Sequence, residues 1–340
     1  MISNKFTYAS ILFYCFVQAL IHCSWAACKT SPATNPVLSG QTFAHDPTLV
    51  RLQPCNDYIV YRTADGMGGI RSPSLEGPWK QDRSAFPNGV PWVKSYTHKD
   101  NNLDMWAPDI SYHNGIYYLY FCASQLSTKN SAIGLATSTT GEPGSFTDHG
   151  VIITSGANTL YNAIDPNLFV DPATGRWWIT FGSFFGGIYQ VEAIPNDGRP
   201  KRGAPFNKIA GNAEEAPAII ERGGKYYLFV STGSCCKTNA DASANCPSRT
   251  YAIHYGRASS PNGPFIDRRG VNMLNGGGSL LLGRNNQQWG AGGQNVYKDA
   301  DGKYLLVYHY YARTAANNNC PPTFGIKYLQ WTTDDWPYVK

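Results

Sequence analysis

The chain has 340 residues, of which 15% are charged, with a formal net charge of +5. Its basic residues are scattered and do not cluster with stacking aromatics, so nucleic acid is not an expected partner. Without a charge run or a Ser/Pro-rich linker, the sequence reads as one globular domain long enough to bury a substantial core.

The N-terminus carries Lys5, an apolar run from Ala9 to Ile21, and small residues at Ser24 and Ala26. That layout predicts a secretory signal over residues 1–26 and a mature domain over 27–340, with cleavage near Ala26 or Ala27. The apolar run is shorter than the roughly 20 residues that span a bilayer, so no membrane anchor is expected and the mature protein is expected to be extracellular. Of nine cysteines, Cys15 and Cys23 leave with the signal, and Cys28, Cys55, Cys122, Cys235, Cys236, Cys246 and Cys320 remain. Secretion favours disulfides, here expected between Cys28 and Cys55 and between Cys246 and one of Cys235 or Cys236. No cysteine cluster is flanked by histidines at ligand spacing, which argues against zinc.

Along the rest of the chain, a short acidic or polar element with Pro or Gly recurs, each time followed about ten residues later by an aromatic, β-branched run. The copies are His45-Asp46-Pro47 with Tyr58 to Tyr61; Ala107-Pro108-Asp109 with Tyr117 to Phe121; Ile164-Asp165-Pro166 with Trp177 to Phe181; Glu215-Ala216-Pro217 with Tyr226 to Val230; and Gly293-Gln294-Asn295 with Tyr304 to Tyr308. Turns such as His113-Asn114-Gly115, Pro172 to Gly175, Arg222-Gly223-Gly224 and Asp299 to Gly302 join the paired strands. Helical periodicity is nearly absent. Copies roughly 50 to 60 residues apart, each with room for four strands, predict an all-β, five-bladed β-propeller. An irregular β-sandwich is the competing architecture, disfavoured by the regular recurrence.

In a propeller the start of each innermost strand lies beside the axis, which brings Asp46, Asp165 and Glu215 together from distant parts of the chain. Singly, each carboxylate reads as a turn element accepting backbone hydrogen bonds. Together near one axis they cannot all ionise, and the resulting split in protonation supplies an acid and a base. Glycoside hydrolysis needs such a pair.

These residues carry a resemblance over His45 to Pro337. With Trp106-Ala107-Pro108-Asp109-Ile110, Asn162-Ala163-Ile164-Asp165-Pro166, Phe181-Gly182-Ser183-Phe184, the Cys235-Cys236 loop, Tyr308-His309-Tyr310 and Trp336-Pro337, the sequence resembles the family 43 glycoside hydrolases, specifically endo-1,5-α-L-arabinanase-like members. The resemblance implies an inverting hydrolase with Asp46 as general base, Glu215 as general acid and Asp165 orienting Glu215 and raising its pKa. Strand alternation sets Glu214 on the opposite face. It also implies that His309 is the protein ligand of a mostly water-coordinated calcium ion, although one imidazole without a carboxylate-rich loop is unusual for calcium.

Trp106 reads as a stacking platform for a sugar ring, Asn162 and Ser183 as short groups for furanose hydroxyls, and Phe184 as part of the same wall. Tyr117, Tyr118, Trp177, Trp178, Tyr226 and Tyr227 read as packing between blades. The implied substrate is plant cell-wall arabinan, cut internally by a monomer, with no added domain after Lys340 to block the cleft. The alternatives are an exo-acting α-L-arabinofuranosidase or β-xylosidase of the same family, and a sugar-binding propeller without activity.

Overall fold

The computed structural model describes residues 34–211, 214–235, 250–312 and 321–340, nearly all of them in strands and turns. The expected signal segment, residues 1–26, lies outside them. Blade I is formed by β1 (Thr48–Arg51), β2 (Tyr58–Arg62), β4 (Gly68–Ser72) and β5 (Lys80–Asp82), with the short β3 (Ala64–Asp65) crossing to blade II. Blade II contains β6 (Asp104–His113), β7 (Ile116–Ser124), β8 (Ser131–Ser138) and β9 (Thr147–Ser155). Blade III contains β10 (Asn167–Val170), β11 (Trp177–Ser183), β12 (Gly187–Ala193) and β13 (Asn207–Lys208). Blade IV contains β14 (Glu214–Arg222), β15 (Lys225–Thr232), β16 (Ala252–Ala258) and β17 (Ser279–Leu282). Blade V contains β18 (Gln288–Lys298), β19 (Tyr304–Ala312) and β20 (Pro322–Tyr328). The terminal hairpin of β21 (Gln330–Trp331) and β22 (Pro337–Tyr338) follows.

The inner strands β1, β6, β10, β14 and β18 touch in cyclic order, and β1 closes on β18. Among the described residues blade V has three strands of its own, and residues 42–44 pair at its edge: Phe43 bridges Thr323, Phe324 N donates to Thr42 O at 2.9 Å, and Ala44 N donates to Pro322 O at 3.1 Å. The segment leading into blade I is thereby fastened to the outer strand of blade V. The predicted five-bladed propeller is the fold.

Strand alternation explains why the second strand of each copy reads as a continuous apolar run. Both faces of every blade are covered, so residues of either parity are buried. In β7, Tyr117, Leu119 and Phe121 pack between blades I and II, while Tyr118, Tyr120 and Cys122 pack between blades II and III. In β15, Tyr226, Leu228 and Val230 face blade III, whereas Tyr227 and Phe229 face blade V. Trp177 and Trp178 likewise divide between the two sides of blade III. All six aromatics assigned to packing are buried, and each such side chain contributes about 1.5–3 kcal/mol by leaving water.

The hairpin turns have the expected geometry: Asn114 and Gly115 adopt φ of 51° and 85°, and Gly223 and Gly224 adopt 60° and 75°. Cys55 is an exposed free thiol, and its expected partner Cys28 lies outside the described residues. The Cys55 loop is closed by backbone bonds from Leu52 N to Asp57 O and from Asn56 N to Leu52 O, both 2.8 Å. Cys235 is disulfide-bonded; Cys28, Cys236, Cys246 and Cys320 lie outside the described residues, and Cys122 is a buried thiol.

Candidate active site

Each inner strand opens on a kink. Asp46, Ala107, Asp165, Ala216 and Gly293 have φ of 47°, 43°, 54°, 49° and 54°, the left-handed region, and the first four precede a proline. A non-glycine residue held there costs on the order of 1–3 kcal/mol and persists only where surrounding structure imposes it. In the fifth copy the residue is glycine for a second reason: a Cβ on Gly293 would stand 2.3 Å from Asp46 Oδ1 and 2.6 Å from His309 Nδ1. In β6, β14 and β18 the ladder slips at the kink, and the residue just before it becomes available to the axis.

The kinks correct one detail of the repeat reading. Asp46 and Asp165 are themselves the left-handed residues, but in blade IV that residue is Ala216. Glu215 therefore sits one place earlier, at the position that His45 holds in blade I and Trp106 in blade II. The three carboxyls are close neighbours without being equivalent in the repeat. Glu214 points elsewhere, against Gly211.

The three carboxyls differ in what surrounds them. Asp46 Oδ2 accepts from Thr63 Oγ1 at 2.8 Å and lies 2.8 Å from His45 Nδ1; Asp46 Oδ1 lies 3.4 Å from His309 Nδ1. Burial alone would raise its pKa, but the charge of His45 and the hydrogen bonds of both histidines hold it well below the usual carboxylate range. Asp165 has the opposite balance: burial, then the charges of Glu215 and Asp46, push it well up, and the Ala216 N–H donated to its Oδ2 at 3.0 Å is too little to offset them. Glu215 is raised to about 8, chiefly by burial and further by Asp46, against a hydrogen bond from Tyr251. One carboxylate is thus ionised at neutral pH beside two carboxyls that hold protons, the division of roles that acid and base catalysis requires.

His309 is fully buried, with its ring stacked on His45 at 4.0 Å between centroids. Its Nδ1 accepts from Asp46 N at 3.1 Å. Burial and the neighbouring His45 lower it to about 4, so it is neutral at pH 7. Its Nε2 is buried and meets no partner within the protein.

Trp106 is half-buried, and its Nε1 donates to Asp104 Oδ1 at 3.2 Å. Asn162 and Ser183 are each 2% exposed and bonded to one another, Asn162 Nδ2 donating to Ser183 Oγ at 3.0 Å while Asn162 Oδ1 accepts from Ser131 Oγ at 2.7 Å. They join blades II and III from below the surface. Phe184, with Phe185 beside it, is exposed in the turn between β11 and β12.

Sequence reasoning gave no role to His45, Thr63, Ser231 or Tyr251. His45 stood within a quoted motif and could have been found by its place beside Asp46. Thr63 donates to Asp46 and accepts the Ala107 N–H at 2.8 Å, a link between blades I and II without any local signal.

A ring of buried carboxyls in unlike protonation states, at the axis of a five-bladed propeller, defines a hydrolase of glycosidic bonds. The model for "Glycosyl hydrolases family 43" matches residues 33–337. Arabinan endo-1,5-alpha-L-arabinosidase A of Aspergillus niger is 38% identical over 308 residues, covering 88% of this chain and 92% of its own. Among solved structures, the GH43 endo-arabinanase from Bacillus licheniformis superposes with a TM-score of 0.78 at 36% identity, covering 89% of this chain and 99% of that one. An exo-1,5-alpha-L-arabinanase from a bovine ruminal metagenomic library gives 0.77 at 34% identity, covering 91% and 98%. The chain belongs to glycosyl hydrolase family 43 and is a glycoside hydrolase.

Proposed function

We propose that this enzyme is secreted and cleaves internal α-1,5-L-arabinofuranosidic bonds of arabinan with inversion. The observation that carries the chemistry is the convergence of Asp46, Asp165 and Glu215 at the propeller axis, with Thr63, His45 and His309 around the Asp46 carboxylate and the Ala216 N–H on Asp165; these surroundings favour an ionised Asp46 beside protonated Asp165 and Glu215. Glu215 protonates the departing sugar oxygen, Asp46 takes a proton from the attacking water, and Asp165 lies beside Glu215 as the residue that orients it, while burial and the charge of Asp46 keep Glu215 protonated. Asp46 and Glu215 belong to blades I and IV, which are not neighbours in the ring, and this supports room for a water between base and sugar. The substrate is supported by the relatives' names, both endo and exo. Debranched arabinan, compared with xylan and small aryl glycosides, tests the reading: early release of mixed oligosaccharides supports internal cleavage, and a single short product from the outset supports the exo alternative. The first product should carry the β-anomeric centre, which proton NMR reads before mutarotation.

His309 would hold a hydrated hard cation, calcium by its chemical class. The buried Nε2, without a partner among the described residues, would be the single protein ligand, with water supplying the remaining oxygens; ligation there requires the ring hydrogen to move to Nδ1, toward Asp46 Oδ1 at 3.4 Å, at the expense of the bond Nδ1 accepts from the Asp46 N–H. Such an ion would add positive charge beside Asp46. Stoichiometric calcium by elemental analysis in the wild type and none in His309→Ala supports this; absence from both overturns it.

A further inference from the structure

Tyr251 lies just before β16, only 2% exposed. Its ring packs so tightly beneath Gly292 that a Cβ there would stand 2.0 Å from Tyr251 Cε1, and it faces the His309 ring at 5.7 Å and 25°. Ring and backbone thus fix where the phenol oxygen points. It reaches the Glu215 carboxyl and the Ser231 hydroxyl, and Ser231 is the cross-strand partner of Glu215 on β15.

The surrounding bonds settle who donates to whom. Gln294 Nε2 donates to the Ala216 carbonyl, which only accepts, so Gln294 Oε1 faces Ser231. Ser231 Oγ spends its single hydrogen on that oxygen at 2.6 Å and accepts the Gly293 N–H at 3.0 Å. No hydrogen comes from Ser231 to the phenol, and the phenol's own hydrogen is available to Glu215.

We propose that Tyr251 is a positioning residue for the general acid: it donates to one oxygen of Glu215, so that the acid's proton resides on the other, toward the leaving sugar. In the step this serves, that proton passes to the glycosidic oxygen as its bond to the anomeric carbon breaks, while water bonds to that carbon and yields its proton to Asp46. The inference rests on Glu215 being the acid.

The test is Tyr251→Phe, which keeps the ring and removes the hydroxyl, assayed on arabinan and on an aryl arabino-oligosaccharide with a dinitrophenolate leaving group that departs without protonation. On arabinan we expect kcat to fall about 10- to 100-fold with KM unchanged, below the 10²–10⁴ of the acid itself. On the activated substrate we expect a change of less than about threefold, since no proton is required there. Equal losses on both substrates, a loss confined to KM, or no loss on arabinan would overturn the proposal. Ser231→Ala should show the same leaving-group dependence more weakly, and equal losses there count against it. Glu215→Gln separates the two levels. If Glu215→Gln loses both activities alike, the acid assignment fails and takes this inference with it. If Glu215→Gln shows the leaving-group split and Tyr251→Phe does not, the role of Tyr251 alone is wrong.

Discussion

Two rings of residues line the same channel, two positions apart along the same five strands, and they put buried carboxyls to opposite uses. The upper ring holds the kinks Asp46, Ala107, Asp165, Ala216 and Gly293, together with the side chains of Trp106 and Glu215 one residue before theirs. The lower ring holds Thr48, Asp109, Asn167, Ala218 and Asn295. Its one carboxyl, Asp109, accepts from Leu168 N at 2.8 Å, Asn167 Nδ2 at 3.1 Å and Asn295 Nδ2 at 2.6 Å. Thr48 and Asn167 likewise accept from the next blade, from Ile110 N at 3.1 Å and Ile219 N at 3.0 Å. A polar side chain reaching for the neighbouring blade's backbone is the structural use. In the upper ring the carboxyls face one another and the histidines, with fewer donors than they would need if all were ionised. Asp46 and Asp165 are half-buried and open to the channel whereas Asp109 is 3% exposed, so access and partners together decide which ring does chemistry.

The largest effect should come from changing the upper ring. Asp46→Asn, Asp165→Asn and Glu215→Gln should each leave a folded protein whose hydrolysis of arabinan falls by about 10³-fold or more. Any variant that retains above roughly a tenth of wild-type turnover loses its assigned role here, because general acid–base catalysis contributes at least about 10². The ring's protonation gives the next effect. Glu215 must keep its proton to act, so kcat/KM should fall about tenfold per pH unit above pH 8, where that carboxyl titrates. Asp46 must be ionised, and with its pKa held below the usual carboxylate range its limb should lie below about pH 4. A profile with its basic limb near pH 5 would mean that Glu215 is not the acid.

The lower ring should respond in stability. Burial raises Asp109 to about 6 from 3.8, despite its donors. The folded state then holds the proton more tightly than the unfolded one, so its contribution is fully present below about pH 4 and falls as pH rises toward 6, by about 3 kcal/mol at 1.36 kcal/mol per unit. Asp109→Asn removes this dependence. Its stability relative to wild type should rise by about that amount between pH 4 and pH 7, with hydrolysis of arabinan unchanged. Urea unfolding at the two pH values checks the slope. A parallel shift at both pH values would show that the donors, and not the charge, dominate this site.

The ring was legible in the sequence because proline interrupts an apolar run only where the ladder tolerates it, and four kinks carry one. The fifth was legible through glycine at the same place. The offset of Glu215 was not, since Asp-Pro and Glu-Ala-Pro look alike until the left-handed residue is known. Nor were Thr63 and Tyr251, whose roles depend on side chains meeting between segments distant in sequence. Asn162 and Ser183 were recognised as polar groups at strand starts, but their hydrogen bond to each other is a tertiary contact that composition does not report.

The smallest effect sharpens the comparison within the upper ring. Trp106 occupies in blade II the place that Glu215 holds in blade IV, one residue before the kink, so the same backbone device aims an indole in one blade and an acid in the other. An indole has no proton to give at that point, and its contribution should lie in binding alone. Trp106 is held by Asp104, which Lys99 pairs at 2.8 Å. Removing the ring surface with Trp106→Ala should raise KM for arabinan about tenfold, or 1.4 kcal/mol, and leave kcat within about twofold, as loss of uniform binding does. Asp104→Asn keeps the shape and weakens the indole's acceptor, so it should raise KM only about two- to threefold, the loss of part of one hydrogen bond. Should Trp106→Ala instead lower kcat with KM unchanged, the indole would be acting on the transition state, and the division between a binding blade and a proton-transferring blade would not hold.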